Sequence, residues 1–320
     1  MDTYLALDLG GTKLLVGELD HQGNVLKYKK YDTGYFNQQA ALGIIKKSLD
    51  DYVKTVGWNS KKPVAIGLGL IGRVDPEQGI WLQIDPKRTD PIPLAKELSE
   101  IYGIPCFIDN DVKSATKAAQ LFGIGQISKN FIYINVGTGI AAGFVVNGLQ
   151  IRGSHFNAGE VGHSQVGVNL GLKCGCGRTD CVELIASGLG FDKSARLLSE
   201  TLETKLHIPE DLGERVDVKE IFALCQKGDP LCVQLVENAS QALANLIMNL
   251  VRVTDPDTVV LGGGIVSDGY MHTKILEKLN PTTIRFVTNG VVLTKLNPDF
   301  VGLIGAGAVA MNKMNSLNKK

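Results

Sequence analysis

Short, unbroken apolar runs, each closed by glycine or another turn former, alternate along this chain with longer stretches in which apolar residues recur at helical spacing. The runs at 4–9, 14–19, 64–68, 104–108 and 258–261 predict buried strands, and 25–28 reads as the return of a hairpin whose turn lies around Gly17–Asn24. Between them, 38–56 carries Ala41, Ile44, Ile45, Leu49, Tyr52 and Val53 on one helical face. Residues 93–102 and the Ala-rich 112–122 predict two more helices, and a last one begins at about Gly302. Strands alternating with helices place the chain in the α/β class.

The pattern repeats. Residues 131–146 align without a gap on 4–19, as strand, acid or amide, Gly/Thr turn, strand. Asp8 matches Asn135, Gly10 matches Gly137, and each turn holds a threonine. A separation of well over a hundred residues is too long for a solenoid and predicts two related α/β lobes. The expected layout is an N-terminal lobe over 1–115, a C-terminal lobe over 116–300, and a helix over 301–320 that packs back on the first lobe.

Composition narrows the function. With 33 Lys+Arg against 33 Asp+Glu the chain has no net charge, which disfavours a nucleic-acid binder acting through a broad basic field. Hydrophobic residues make up 44% of 320, enough to build a large core, and no run is long enough to span a membrane. Met1-Asp2-Thr3 lacks the layout of a signal peptide, so a cytoplasmic protein is expected. Two surpluses stand out. Glycine numbers 37, well above the ~7% of average usage, and three of six cysteines crowd into Cys174-Gly-Cys176-Gly-Arg-Thr-Asp-Cys181.

Gly-rich turns leaving a strand expose backbone N–H groups with no side chain in the way, so phosphate oxygens can approach closely. Gly10-Gly11-Thr12-Lys13 and Gly137-Thr138-Gly139, facing each other across a cleft, would hold a polyphosphate from both sides. Gly262-Gly263-Gly264 would let a nucleoside lie flat on backbone, and Asp8 would place a carboxylate where Mg²⁺ or its waters sit. Each cluster alone reads equally as a tight hairpin; three of them, each after a buried strand, favour nucleotide. Gly67-Leu-Gly69-Leu-Ile-Gly72 fits a dinucleotide pattern, but that fingerprint opens a helix, and here a Pro- and Gly-bearing turn over 73–79 follows.

His163 with Cys174, Cys176 and Cys181 offers one imidazole and three thiolates, a closed tetrahedral set for structural Zn²⁺. The alternative, three free surface thiols in eight residues, would be prone to oxidation. Cys106, Cys225 and Cys232 read as core residues. Asp109-Asn110-Asp111 ends a strand and opens a helix, where Asp and Asn are ordinary caps.

Taken together, Asp8–Lys13, Val136–Ile140 and Leu261–Gly264 look like the phosphate and adenosine motifs of the sugar kinase, actin and chaperone-ATPase superfamily. Asn157-Ala-Gly-Glu160-Val-Gly-His163 and the cysteine cluster resemble the ROK family of sugar kinases and sugar-responsive repressors, over nearly the whole chain. The resemblance implies two actin-like (ribonuclease H-like) lobes, a homodimer, and ATP-dependent phosphorylation of a sugar hydroxyl, expected at O6 of a hexose. Asp111 would be the general base; Gly72, Asn110, Asp111, Glu160, His163 and Glu183 would bind the sugar. A base of ordinary acidity suffices, because phosphoryl transfer passes through a loose transition state and needs the proton taken late. Two segments depart from the family's pattern on the sugar side. Ile71 replaces a proline, and 82–90 lacks the usual Asn-Leu…Trp sequence, so the identity of the sugar is not read. A silent sugar sensor is the alternative. A repressor is disfavoured, since the first strand starts at Tyr4 and leaves no room for a winged helix ahead of it.

Overall fold

The first apolar run forms β1 (Tyr4–Leu9), buried along nearly its whole length, as expected of a strand covered on both faces. It belongs to a computed structural model that describes residues 2–34, 36–59, 61–85, 88 and 90–317. β1 turns back antiparallel into β2 (Lys13–Leu19), which pairs with β3 (Val25–Asp32). β3 alternates half-buried and exposed residues, and its three lysines make it a charged edge. Helix α1 (Gln38–Thr55) is started by Asn37, whose side chain accepts the Ala40 N–H at 2.9 Å. The chain continues through β4 (Ala65–Leu70), the short hairpin β5 (Arg73–Asp75) and β6 (Ile80–Gln83), and α2 (Leu94–Tyr102). It reaches β7 (Cys106–Asn110), which runs directly into α3 (Asp111–Phe122). The hairpin after Gly72 rules out the dinucleotide fingerprint, as its turn residues predict. Of the departing segment 82–90, residues 86, 87 and 89 lie outside the described residues.

The second sheet is built on the same plan. β8 (Phe131–Val136), β9 (Ile140–Val146) and β10 (Leu149–Gln150) come first, followed by α4 (Glu183–Ala186), α5 (Gly188–Leu198), α6 (Val218–Cys225) and α7 (Pro230–Thr254). β11 (Thr258–Gly262), α8 (Tyr270–Lys278) and β12 (Val291–Leu293) close it, before the terminal helix α9 (Val301–Leu317). The strand orders are β3-β2-β1-β4-β7 and β10-β9-β8-β11-β12, each with two antiparallel pairings followed by two parallel ones. The duplication seen in the sequence is therefore a duplication of topology. One detail differs: Leu9 pairs with Leu14, whereas Val136 pairs with Ile140, the counterpart of Lys13, so the second turn is one residue tighter. The long α7 is an element beyond those expected from the apolar pattern; Asp229 caps it and Pro230 starts it.

Two compact units result, Met1–Ile127 with Arg152–Ala158 and Lys295–Lys320, and Ser128–Ile151 with Gly159–Thr294. The first unit runs past residue 115, which lies inside α3. In that unit Leu5, Leu7 and Leu9 pack on one face with Ala41, Ile45 and Leu49 of α1 and Leu98 of α2. On the other face Tyr4 and Ala6 meet Leu303, Ile304, Ala306 and Ala310 of α9. Gly67 on β4 lets α9 lie directly on the sheet, since a Cβ there would fall 1.9 Å from the Ala306 carbonyl oxygen. The second unit has one large core in which Ile132, Ile134 and Val136 pack with Leu243, Leu246 and Ile247 of α7. No helix of the described residues is long and apolar enough to cross a membrane.

Candidate active site and metal centre

By the alternation of β1, Asp8 points to the face that carries α9, at the carboxyl end of the strand. The Gly10–Thr12 turn follows, with the Gly10 N–H donating to the Lys13 carbonyl at 2.9 Å and the Thr12 carbonyl accepting the Thr33 N–H at 3.0 Å. Gly11, Thr12 and Lys13 are exposed, so the turn presents backbone and one ammonium to solvent. Burial, and after it the negative charge of Asp111, raise the Asp8 pKa to about 7. Two carboxylates that oppose each other in this way fit Mg²⁺, whose charge offsets both the desolvation and the repulsion.

Asn110 ends β7 and caps α3, its Oδ1 accepting the N–H groups of Val112 at 3.0 Å and Lys113 at 3.1 Å. Its amide donates to the Gly72 carbonyl at 3.0 Å and to Asp111 Oδ1 at 2.8 Å. The cap reading and the site reading thus coincide in one residue: the bonds that start the helix also orient Asp111. Gly72 adopts φ +85°, and a Cβ there would meet the Gln83 carbonyl oxygen at 2.2 Å, so only glycine lets β5 leave the sheet at this point.

The groups behind this corner leave no trace in the sequence pattern. Arg152 donates to both oxygens of buried Asp109, at 2.8 and 2.7 Å, and Asp109 Oδ1 also accepts the Asn110 N–H at 2.9 Å. The Lys113 ammonium donates to the Ala158 carbonyl. Lys117, buried nearby, has its pKa lowered to about 8, by burial first and by Arg152 second, against the opposing pull of Asp109. Isolated charges far apart in sequence carry no spacing signal, so these could not be read in advance.

In the second unit the glycine turns are braced by their neighbours. The Gly137 N–H donates to the Gly139 carbonyl at 3.0 Å. The first amides of α5 close onto the same turn, Gly188 N–H to Gly137 at 2.8 Å and Leu189 N–H to Thr138 at 3.2 Å. Gly263 has φ +93° and lies against the Val136 carbonyl, while the Ile265 N–H donates to that carbonyl at 3.1 Å. The Gly137–Gly139 and Gly262–Gly264 turns are therefore brought together, and at Gly264 a Cβ would meet open space. Glu183, the first residue of α4, accepts the Ile140 N–H at 2.9 Å and so ties α4 to the Gly137–Gly139 turn.

The four zinc-type donors also converge. The ligand atoms of His163, Cys174, Cys176 and Cys181 all lie within 4.8 Å of one another. Cys176 and Cys181 Sγ are 3.6 Å apart, and Cys174 Sγ lies 3.5 Å from His163 Nδ1. These separations, and the donor chemistry, fit a tetrahedral Zn²⁺. A backbone hydrogen bond from Arg178 holds the Cys176 pKa down, whereas burial pushes Cys181 up to about 12. Asp180 accepts three N–H groups, from Leu170 at 3.1 Å, Gly171 at 3.1 Å and Leu172 at 2.9 Å, and so shapes the loop that carries the cysteines. Glu160 is exposed and precedes the short 3₁₀ turn Val161–His163. With Nδ1 turned toward Cys174, His163 has Nε2 left to face away from the cluster.

The predicted residues therefore divide by unit. The first holds Asp8, Gly10–Lys13, Gly72, Asn110 and Asp111; the second holds Gly137–Gly139, Glu160, His163, the cysteines, Glu183 and Gly262–Gly264.

Known proteins resemble the chain over nearly its whole length. Residues 4–313 match the ROK family. A glucokinase of Halalkalibacterium halodurans is 28% identical over 324 residues, covering 99% of this chain and 97% of the relative. An N-acetylmannosamine kinase of Salmonella typhi is 28% identical, covering 84% of this chain and 86% of the relative. Among solved structures, a ROK hexokinase from Thermus thermophilus superposes with a TM-score of 0.76 at 28% identity, covering 98% of this chain and 99% of that one.

Proposed function

The chain belongs to the ROK family, and from that premise we propose that it transfers the γ-phosphoryl group of ATP to a hydroxyl of a sugar, O6 of a hexose. The observation that carries the reading is the placement of Asp8 and Asp111 at the carboxyl ends of β1 and β7, which flank β4 in one sheet, so that the charge of Asp111 helps to raise the Asp8 pKa. It sets a metal-organising carboxylate beside a proton-accepting one. Asp111, oriented by the Asn110 amide, aligns the acceptor hydroxyl and takes its proton as the bond to phosphorus forms. Asp8 would hold Mg²⁺, and that ion would supply positive charge against the phosphates. Backbone N–H groups of Gly10–Thr12 and Gly137–Gly139, with Lys13, bind the phosphates, and Gly262–Gly264 takes the adenosine.

Gly72, Asn110, Glu160, His163 and Glu183 hold the sugar. Zn²⁺ bound by His163, Cys174, Cys176 and Cys181 is structural, fixing one face of His163 and the loop that leads to Glu183. The protein acts as a cytoplasmic homodimer. The sugar itself follows from a coupled ATP assay across glucose, N-acetylmannosamine, N-acetylglucosamine, mannose, fructose, allose and β-glucosides. Turnover of one of them is the expected result. Tight binding of one with turnover of none would replace the kinase by a sensor.

A further inference from the structure

Asp8 does not reach its position through β1 alone. Its register partner on β4 is Gly69, and the first turn of α9 brings Gly302 against the same carboxylate. A Cβ on Gly302 would lie 2.1 Å from Asp8 Oδ2, 2.4 Å from Cγ and 2.7 Å from Oδ1. All three atoms of the group are inside contact distance, so rotating the carboxylate about its own bond cannot relieve the overlap. A Cβ on Gly69, in contrast, would lie 3.7 Å from Asp8 Oδ1 and 3.5 Å from Ser114 Oγ, which is ordinary packing.

The backbone can yield on neither side. Leu7 and Leu9 beside Asp8 are locked in one core, and Leu303 and Ile304 beside Gly302 in another. The residue that must give is Asp8 itself.

We propose that Gly302 is a positioning residue for the nucleotide's metal: its missing side chain is the space in which the Asp8 carboxylate stands. The proposal rests on the reading of Asp8 as the Mg²⁺ organiser. With alanine at 302 the carboxylate swings out of the slot, and Mg²⁺ bound with the nucleotide loses its protein partner. Sugar-binding groups elsewhere are untouched. Helix propensity alone predicts no loss, because alanine is a better helix former than glycine.

The test is calorimetry of a non-hydrolysable ATP analogue with and without Mg²⁺, on the full chain and on Gly302→Ala and Gly69→Ala. In the parent, Mg²⁺ tightens binding. In Gly302→Ala that gain falls by about tenfold or more, the scale on which ångström misplacements act. Gly69→Ala keeps most of it, and sugar binding is unchanged in both. A folded Gly302→Ala protein with the parent's Mg²⁺ gain overturns the proposal. Should Gly302→Ala fail to fold, the double variant with Asp8→Ala decides. Recovery of the melting temperature locates the clash at the carboxylate, and no recovery overturns it. A parent whose nucleotide binding ignores Mg²⁺ would remove the Mg²⁺ reading of Asp8, and this inference with it.

Discussion

The two glycine hairpins share strand bounds and sheet order yet solve opposite problems. At the end of β1 stands a carboxylate, Asp8, with an exposed turn and Lys13 after it. At the end of β8 the matching residue is Asn135, and the turn is one residue tighter, closed by α5 and braced from behind by Glu183. The first hairpin carries charge that must be balanced; the second is neutral and offers backbone alone. A duplicated scaffold has thus kept its geometry and divided the electrostatics. On the proposed function, a chain with no net charge would meet a triphosphate this way, local dipoles and one cation replacing a global field.

If that division holds, charge removal in the first unit should cost rate, whereas backbone changes in the second should cost affinity or stability. The largest effect is expected at Asp111. Asp111→Ala should lower kcat by about 10²–10⁴-fold, as loss of a general base does, while sugar binding measured by calorimetry stays within a few-fold. Near-normal turnover would end the assignment.

Next comes Asp8. Its raised pKa of about 7 means that the folded protein favours the protonated form well above the ordinary value of 3.8. Below pH 7 protons compete with Mg²⁺, so the half-saturating Mg²⁺ should rise about tenfold per pH unit, and Asp8→Asn should abolish the Mg²⁺ response. For stability the sign is reversed from the usual carboxylate. In metal-free protein this group's contribution is lost as pH rises from 4 toward 7, and Asp8→Asn should flatten that part of the melting-temperature profile.

Zinc tests the second unit's other half. Cys176→Ser should lower metal content from one Zn²⁺ per chain and raise the sugar KM about 10–100-fold, the usual range for lost orienting partners, with the ATP KM little changed. The smallest effects separate the turns themselves. Gly263→Ala, forced to φ +93° against the Val136 carbonyl, should cost about 1–3 kcal/mol in denaturant unfolding. Gly11→Ala, with open space at its Cβ, should stay within about 0.5 kcal/mol.

Much of the fold and the site is legible in the sequence, for identifiable reasons. β1, β8 and the glycine turns can be read because buried strands leave continuous apolar runs and tight turns between them favour glycine. The cysteine loop is legible because one imidazole and three thiols within a short span suit a metal far better than packing or solvent. Asn110 is ambiguous in the sequence because a helix cap and a ligand group look alike; the hydrogen bonds show a cap that also orients Asp111. The Asp109–Arg152 pair and Lys117 are invisible there, since a buried ion pair joined across 43 residues leaves no local pattern. The role of Gly302 is equally hidden. A glycine inside Gly-Leu-Ile-Gly-Ala-Gly reads as helix packing until the atom it makes room for is known.

The return of α9 to the first sheet has a consequence for how the protein is born. Tyr4, Ala6 and Leu19 leave the ribosome well before their packing partners Leu303, Ile304, Ala306 and Ala310, which emerge only after the whole second unit. The segment Ser128–Thr294, interrupted only by 152–158, can complete its own core while the amino-terminal sheet still lacks one face. The first unit to begin is therefore the last to shut, and the same turn of helix that shuts it arrives at Asp8. A chain truncated after Thr294 would keep every core residue of the second unit while the first sheet lacks the α9 residues that cover one of its faces.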